Sequence, residues 1–416
     1  MDLLSLVVLC ITLIIAFTFK LNSGVVAIAV SLIFSLAAGI DGKFLISSFN
    51  SSLFITLLGV MYLFSIAQEN KTLELLAKKI FALCKGKVKL LPIVIFFTAA
   101  IISAIGPGLI SATALMSVLV VALAEEMKVP TIRLAPFGLL GAFSGGLSPI
   151  TPTGIVAINV AGESGIIGVG TSVALKMFIT CALYAIILYF FVFQWHREKN
   201  LALLAKENSN EIVLRFSAKQ IATLVGILAV AAITAIFNIN VGMISFVVAV
   251  ILLLFHAADE GAVMKSIPWG TLVMITGVGI LISLVTELGG IDLLSNTLKK
   301  LTGQKTVTAI MTLLSGIMSW VSSASGVVMP TLIPTAPDIA ASMPGTSALE
   351  LVNGISIGAN IAALSPLSTC GALMLAAYSS SSQADAKSKN QMFVRLFLLS
   401  ACGVALAGIL ALIGLY

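Results

Sequence analysis

Ser148-Pro149 and Ser365-Pro366 each interrupt a long apolar run, and 217 positions separate them. Around the first the chain reads Ser144-Gly-Gly-Leu-Ser-Pro-Ile-Thr-Pro-Thr-Gly154, and around the second Leu364-Ser-Pro-Leu-Ser-Thr-Cys-Gly371. Proline removes a backbone donor and clashes with the preceding turn, while glycine opens conformations closed to other residues. Such a density of both should unwind a helix, not merely kink it. Unwinding frees carbonyls that can coordinate a cation. The half-helix that restarts offers free N–H groups and a partial positive charge, which attract an anion.

Ser148, Pro149, Thr151, Thr153, Ser365, Pro366, Ser368 and Thr369 are therefore the candidate anion contacts, with hydroxyls that carry no intramembrane charge. Gly145 and Gly146 would offer carbonyls to a cation, with Asn360 and Ala362 before the second break as further cation-side candidates. Any one of these hydroxyls could equally bond back to its own helix, and Asn360 could equally serve an interhelical bond. The duplication favours a site.

What is missing narrows the chemistry. The only histidines, His196 and His256, lie near run ends, so neither a buried Ser–His pair nor an HExxH zinc motif is present. There is no GxxxxGK[ST] loop to hold nucleotide. The cysteines, Cys10, Cys84, Cys181, Cys370 and Cys402, form no CxxC pair and predict neither disulfides nor zinc. No acidic residue falls at mid-span, which disfavours a carboxylate-based proton–cation antiporter.

The elements that must position these residues are membrane helices. Of 416 residues, 59% are hydrophobic and 10% charged, where a soluble domain carries about a quarter charged. The net charge of +6 sits in short loops and is no nucleic-acid signal. Apolar runs at 3–19, 24–40, 53–67, 134–160, 171–194, 221–237, 241–256, 268–287, 348–377 and 391–415 predict spanning helices. The first run lacks a basic segment before it and reads as a retained helix. Residues 71–84 and 291–301 read as amphipathic helices along the interface.

Two apolar pairs remain, 89–104 with 109–124 and 306–320 with 326–341. Gly106-Pro107-Gly108 divides the first, and Ser322-Ser323-Ala324-Ser325-Gly326 the second. Neither turn carries a charge, so each reads as a re-entrant hairpin tip lining a cavity; a tight turn between full spans is the alternative. Ser323, Ser325 and Gly106–Gly108 join the anion contacts, and Ala324 the cation side.

The halves are copies. At the 217 offset Gly141-Ala142 meets Gly358-Ala359, and Gly154 meets Gly371; at 218, Gly59 meets Gly277, Ser65 meets Ser283 and Glu69 meets Glu287. With the pairs as hairpins, each half crosses the bilayer five times, so the second copy is inverted, as in many secondary carriers. Repeat one is expected at 1–194 (scaffold helices 1–87, hairpin and broken helix 88–194) and a linker at 195–219. Repeat two follows at 220–416 (scaffold 220–303, hairpin and broken helix 304–416). Eighteen Lys and Arg then share the linker's side, against Lys43, Lys299, Lys300 and Lys305 on the other. That bias places the linker in the cytoplasm and both termini outside, in an inner membrane.

Ile105-Gly-Pro-Gly108, Gly146-Leu-Ser-Pro-Ile-Thr-Pro-Thr-Gly-Ile155, Ser322-Ser-Ala-Ser-Gly-Val-Val-Met-Pro-Thr-Leu-Ile-Pro-Thr335 and Ser365-Pro-Leu-Ser-Thr-Cys-Gly-Ala-Leu373 together resemble the MatC-like malonate/dicarboxylate carriers of the ion transporter superfamily. These are related to divalent-anion/sodium symporters. The resemblance implies an all-α polytopic membrane protein of two inverted five-helix repeats with re-entrant hairpins. It also implies a homodimer and an elevator motion. Its tips depart from the Ser-Asn-Thr signature of the related symporters. The expected activity is secondary transport of a small organic anion, a C3 or C4 dicarboxylate, with Na+ or H+ as coupling ion and no other metal or cofactor. An inorganic-ion antiporter or oxyanion exporter is the alternative, and a membrane-embedded hydrolase or receptor ranks last.

Overall fold

Apolar sequence becomes helix throughout the computed structural model, which describes residues 1–19, 21–82, 90–126, 129–194, 215–237, 239–304, 306–379 and 386–416, with no strand among them. Cys84, most of the expected linker and several counted basic residues, Lys128 and Lys305 included, lie outside the described residues. The first half runs α1 (Asp2–Thr18), α2 (Ser23–Ala38), α3 (Gly42–Ser47), α4 (Ser51–Glu69), α5 (Thr72–Ala82), α6 (Leu91–Ala104), α7 (Gly108–Glu126), α8 (Thr131–Gly145), α9 (Pro152–Glu163) and α10 (Val169–Leu188), the last continued by a π-helical turn. The second runs α11 (Ala218–Phe237), α12 (Val241–Leu254), α13 (Glu260–Ser266), α14 (Trp269–Glu287), α15 (Gly290–Leu301), α16 (Val307–Val321), α17 (Met329–Leu332), α18 (Ala336–Ser342), α19 (Ala348–Ile361), α20 (Thr369–Ser379) and α21 (Ala386–Leu412). Six helical segments of at least 18 residues are apolar enough to cross a membrane. The chain is an all-helical polytopic membrane protein built from two copies of one pattern.

The copies share their local devices as well as their order. Asn22 and Asn240 accept N–H bonds at the starts of α2 and α12, and Asp41 and Asp259 cap the short helices α3 and α13. Those short helices are absent from the sequence reading; six and seven residues are too few for a periodic signal. The amphipathic stretches form α5 and α15 as expected.

Glycine decides how the scaffold halves meet. α2 packs on α14, and α12 packs on α4. A Cβ on Gly24 would overlap the Val273 carbonyl, one on Gly277 the Gly24 carbonyl, one on Gly59 the Gly242 carbonyl, and one on Gly242 the Thr56 backbone. Backbone thus lies on backbone at two symmetry-related crossings, as small residues allow in lipid. Each crossing is also bonded: Asn22 Nδ2 donates to the Gly270 carbonyl at 2.7 Å, and Asn240 Nδ2 to Thr56 Oγ1 at 2.6 Å.

The other helices cluster around the two breaks. The hairpin arms α6 and α7 pack on α8, α16 packs on α19, and α7 also packs on α20 of the opposite repeat. The second hairpin's returning arm is not one regular helix. Ala324–Val328 is π-helical and Ile333–Thr335 is 3₁₀, flanking α17 and α18. Pro330, Pro334 and Pro337 recur there every three or four residues and remove the N–H groups a regular helix needs.

Candidate functional site

Both Ser-Pro positions interrupt their helices. α8 ends at Gly145 and α9 starts at Pro152; α19 ends at Ile361, passes through a 3₁₀ turn at Ala362–Leu364, and restarts as α20 at Thr369. In the first break Thr151 is the N-cap of α9, with Pro152 in the first helical position, where its missing N–H costs nothing. The Thr151 hydroxyl lies 2.7 Å from the carbonyls of Gly146 and of Ser148, and accepts from the Gly154 N–H at 3.2 Å. At the matching position Ser368 donates to the Ala363 carbonyl at 2.7 Å. Gly154 and Gly371 close the two turns, since a Cβ on either would overlap the carbonyl of Ser148 or Ser365.

The first hairpin tip reaches the first break. Gly106 (φ 136°) and Gly108 (φ 74°) have left-handed φ values that favour glycine, on either side of Pro107. A Cβ on Gly106 would overlap the Phe64 ring of α4, and one on Gly108 would stand 2.9 Å from Pro152 Cδ and 3.6 Å from Thr151 Cβ. Between tip, break and scaffold lies a cavity of about 60 Å³. Its wall on the tip side carries Ser111 of α7, Thr153 of α9 and Ser325 of the second hairpin; its scaffold wall carries Ser65 and Gln68 of α4 with Thr271 of α14. These six side chains have no hydrogen-bond partner among the described residues. Among the described residues no Lys, Arg, His, Asp or Glu lines the cavity.

Of the residues singled out from sequence, Gly106, Pro107, Gly108, Thr153 and Ser325 line this cavity together. Thr151 sits directly behind Gly108 with its hydroxyl committed to the break. Ser148 is half-buried and Pro149 exposed at the outer side of the turn. The Gly145 carbonyl accepts from the Ser148 N–H at 3.1 Å, and the Gly146 carbonyl from Thr151. The second break, and the second tip apart from Ser325, lie outside the cavity lining. There Ser365 accepts from the Leu367 N–H at 3.2 Å, Pro366 is buried, and Thr369 is exposed at the start of α20. Ser323 caps the π turn that Ala324 opens, accepting from the Gly326 N–H at 3.1 Å. Asn360 donates to the Ser356 carbonyl at 2.7 Å, and the Ala362 carbonyl accepts from the Ser365 N–H and the Ser400 hydroxyl.

Sequence reasoning did not pick out Ser65, Gln68, Ser111 or Thr271. Isolated polar residues in apolar helices usually bond back to their own turn, and only packing reveals that these do not. Among the described residues no three His, Cys, Asp or Glu side chains cluster. A cation held at the cavity would therefore meet hydroxyl, amide and carbonyl oxygens, ligands that suit a hard ion. A larger cavity of about 460 Å³ opens between α7, α8, α20 and α21, with Glu125, Thr131, Tyr378 and Arg395 in its wall; it includes no residue of either break or tip.

Comparison with known proteins gives the same class. The chain is similar in fold to the YdaH transporter of Alcanivorax borkumensis, whose crystal structure is described as revealing an unusual topology. The two share a TM-score of 0.62 and 11% sequence identity, over 89% of this chain and 87% of that one. No curated protein matches in sequence. The CitMHS family, described as citrate transporter, matches residues 11–352, which takes in both hairpins and the first break. With more than half its length so matched, the chain belongs to the citrate transporter family.

Proposed function

We propose that this protein is a secondary carrier of a small organic carboxylate, a C3 or C4 dicarboxylate, coupled to Na+ or H+. The observation that carries the reading is the cavity at the first tip, where six polar side chains without protein partners converge in a wall free of charge. Their polar atoms are open to the cavity, with Gln68 exposed and Ser65 and Thr153 buried, and are free to bond a solute that enters it. They can donate to carboxylate oxygens, and the start of α9, at Thr151 and Pro152, stands beside Gly108. A dianion in this wall finds no side-chain cation to balance it, and an accompanying Na+ or proton supplies the missing charge.

The hairpin reading rests on contact, since α6 at 14 residues is no shorter than the spanning α12, and α7 at 19 is long enough to cross. The first tip meets the break of a spanning segment. In an elevator cycle the hairpins and broken helices move as one body against the glycine-interlocked scaffold of a homodimer. The basic residues, gathered on the linker's side, set that side in the cytoplasm and both termini outside. Uptake of labelled malonate, succinate and citrate into proteoliposomes, under an inward Na+ gradient or an inward proton gradient, tests the proposal. Uptake of a dicarboxylate above background under one gradient is expected; no uptake of any of the three under either would refute it.

A further inference from the structure

We propose that the scaffold wall of the cavity forms a second subsite, Ser65, Gln68 and Thr271, which takes one of the two polar end groups of the substrate. The inference rests on the carboxylate-carrier reading and adds a specificity determinant outside the hairpins and broken helices.

Many hydroxyls in the scaffold helices bond back to their own turn, although Ser31, Thr234 and Ser295 do not. Thr56, Ser245 and Thr276 each donate to the carbonyl four residues earlier, at 2.7, 2.7 and 2.9 Å. The repeat supplies a direct control for Ser65, because its equivalent Ser283 on α14 donates to the Gly279 carbonyl at 3.1 Å. Thr286, which matches Gln68, donates to the Ile282 carbonyl at 2.8 Å. Ser65 differs from its copy: it is 4% exposed, makes no bond to the Met61 carbonyl, and faces the cavity. Gln68 follows three residues later, on the same helix face. Its amide offers two donors and an acceptor, and Thr271 approaches from α14 across the same space. At Ser65 and Gln68 the first repeat therefore leaves open the positions that the second closes at Ser283 and Thr286.

The lining thus holds two polar sets, this one from the scaffold helices and another, Ser111, Thr153 and Ser325, from the hairpins and broken helix. A solute with two carboxylates satisfies both; a monocarboxylate of the same length leaves the scaffold set unpaired. Sites built to hydrogen-bond a group discriminate strongly against analogues that lack it.

The test compares succinate with butyrate in proteoliposomes of the wild type, S65A, Q68L and T271V, with S283A as the back-bonded control. Wild-type kcat/KM should favour succinate. Q68L should shrink that preference by about tenfold to a hundredfold, the scale of a lost bond to a charged group. S65A and T271V should shrink it less, and S283A should leave it unchanged. Binding is read in parallel as succinate-induced thermal stabilisation of detergent-purified protein, which needs no reconstitution. An unchanged preference in Q68L, S65A and T271V alike overturns the subsite, as does an equal loss in S283A. Wild-type protein that neither transports nor is stabilised by any carboxylate overturns the carrier reading itself.

Discussion

Replacing Thr151 with valine keeps the branched shape and deletes one oxygen. That oxygen serves the Gly146 carbonyl, the Ser148 carbonyl and the Gly154 N–H at once, and the residue is fully buried. Removal of an N-cap costs about 0.5–2 kcal/mol, and a polar group left unpaired in the interior costs about 1–3 kcal/mol. The two overlap because one hydroxyl does both jobs, which leaves a loss of about 2–3 kcal/mol, or roughly 30- to 150-fold in the folded-to-unfolded ratio. Ser368 makes one bond, to the Ala363 carbonyl, and is half-buried, so S368A should cost only about 1 kcal/mol. The assay is thermal denaturation of purified protein in detergent, followed as the fraction that stays monodisperse on gel filtration. The midpoint should fall furthest for T151V and less for S368A, and T151S should stay near wild type. The reasoning fails if T151V matches wild type, if S368A falls as far, or if T151S denatures with T151V.

Other positions give separate expectations. Gly106→Ala forces a Cβ into the Phe64 ring at a φ that L side chains avoid; transport should be lost while the protein still reaches the membrane, as uptake and membrane quantitation would show. Gly59→Ala and Gly277→Ala each wedge a methyl group against backbone, and should lower the denaturation midpoint by similar amounts, of the 1–3 kcal/mol scale of overpacking or above. Glu163 lies beyond the apolar run that ends at Val160, and Asn50 Nδ2 donates to its carboxylate. Desolvation raises its pKa above the usual 4.5, opposed by the Asn50 bond. Ionisation therefore disfavours the folded state at neutral pH, and that penalty fades as pH falls through the raised value towards 4.5. E163Q should be slightly more stable than wild type near pH 7 in denaturation scans. The gap should close below the usual glutamate range, and it stays small because the side chain keeps access to solvent.

How much of this was readable in advance depends on how a residue signals. Pro149, Pro152 and Pro366 announce the breaks because proline weakens a helix interior, as glycine does, although Pro136 is kept within α8. The Asn22–Asn240 and Asp41–Asp259 caps were equally regular but stand at run ends, where the period argument has no force. The first tip was legible as Gly-Pro-Gly. Its neighbour Phe64 was not, since nothing in an apolar helix marks which ring will cover a glycine. Ser65 and Ser283 are the sharpest case. The repeat pairs them as equals, yet one hydroxyl is satisfied by its own turn and the other is open to a cavity. That difference exists only after α4 and α14 have met the first tip. Thr151 and Ser368 were read as ligand hydroxyls, and the structure shows them also bracing the turns that hold the breaks open.

The crossings at Gly24–Gly277 and Gly59–Gly242 bear on how the chain is made. α2 and α4 leave the ribosome long before α12 and α14, so two bare strips of backbone in the first half wait in the bilayer for helices not yet synthesised. Neither half can finish its own scaffold. A first repeat expressed alone should stay exposed to membrane proteases until the second is supplied, even as a separate polypeptide.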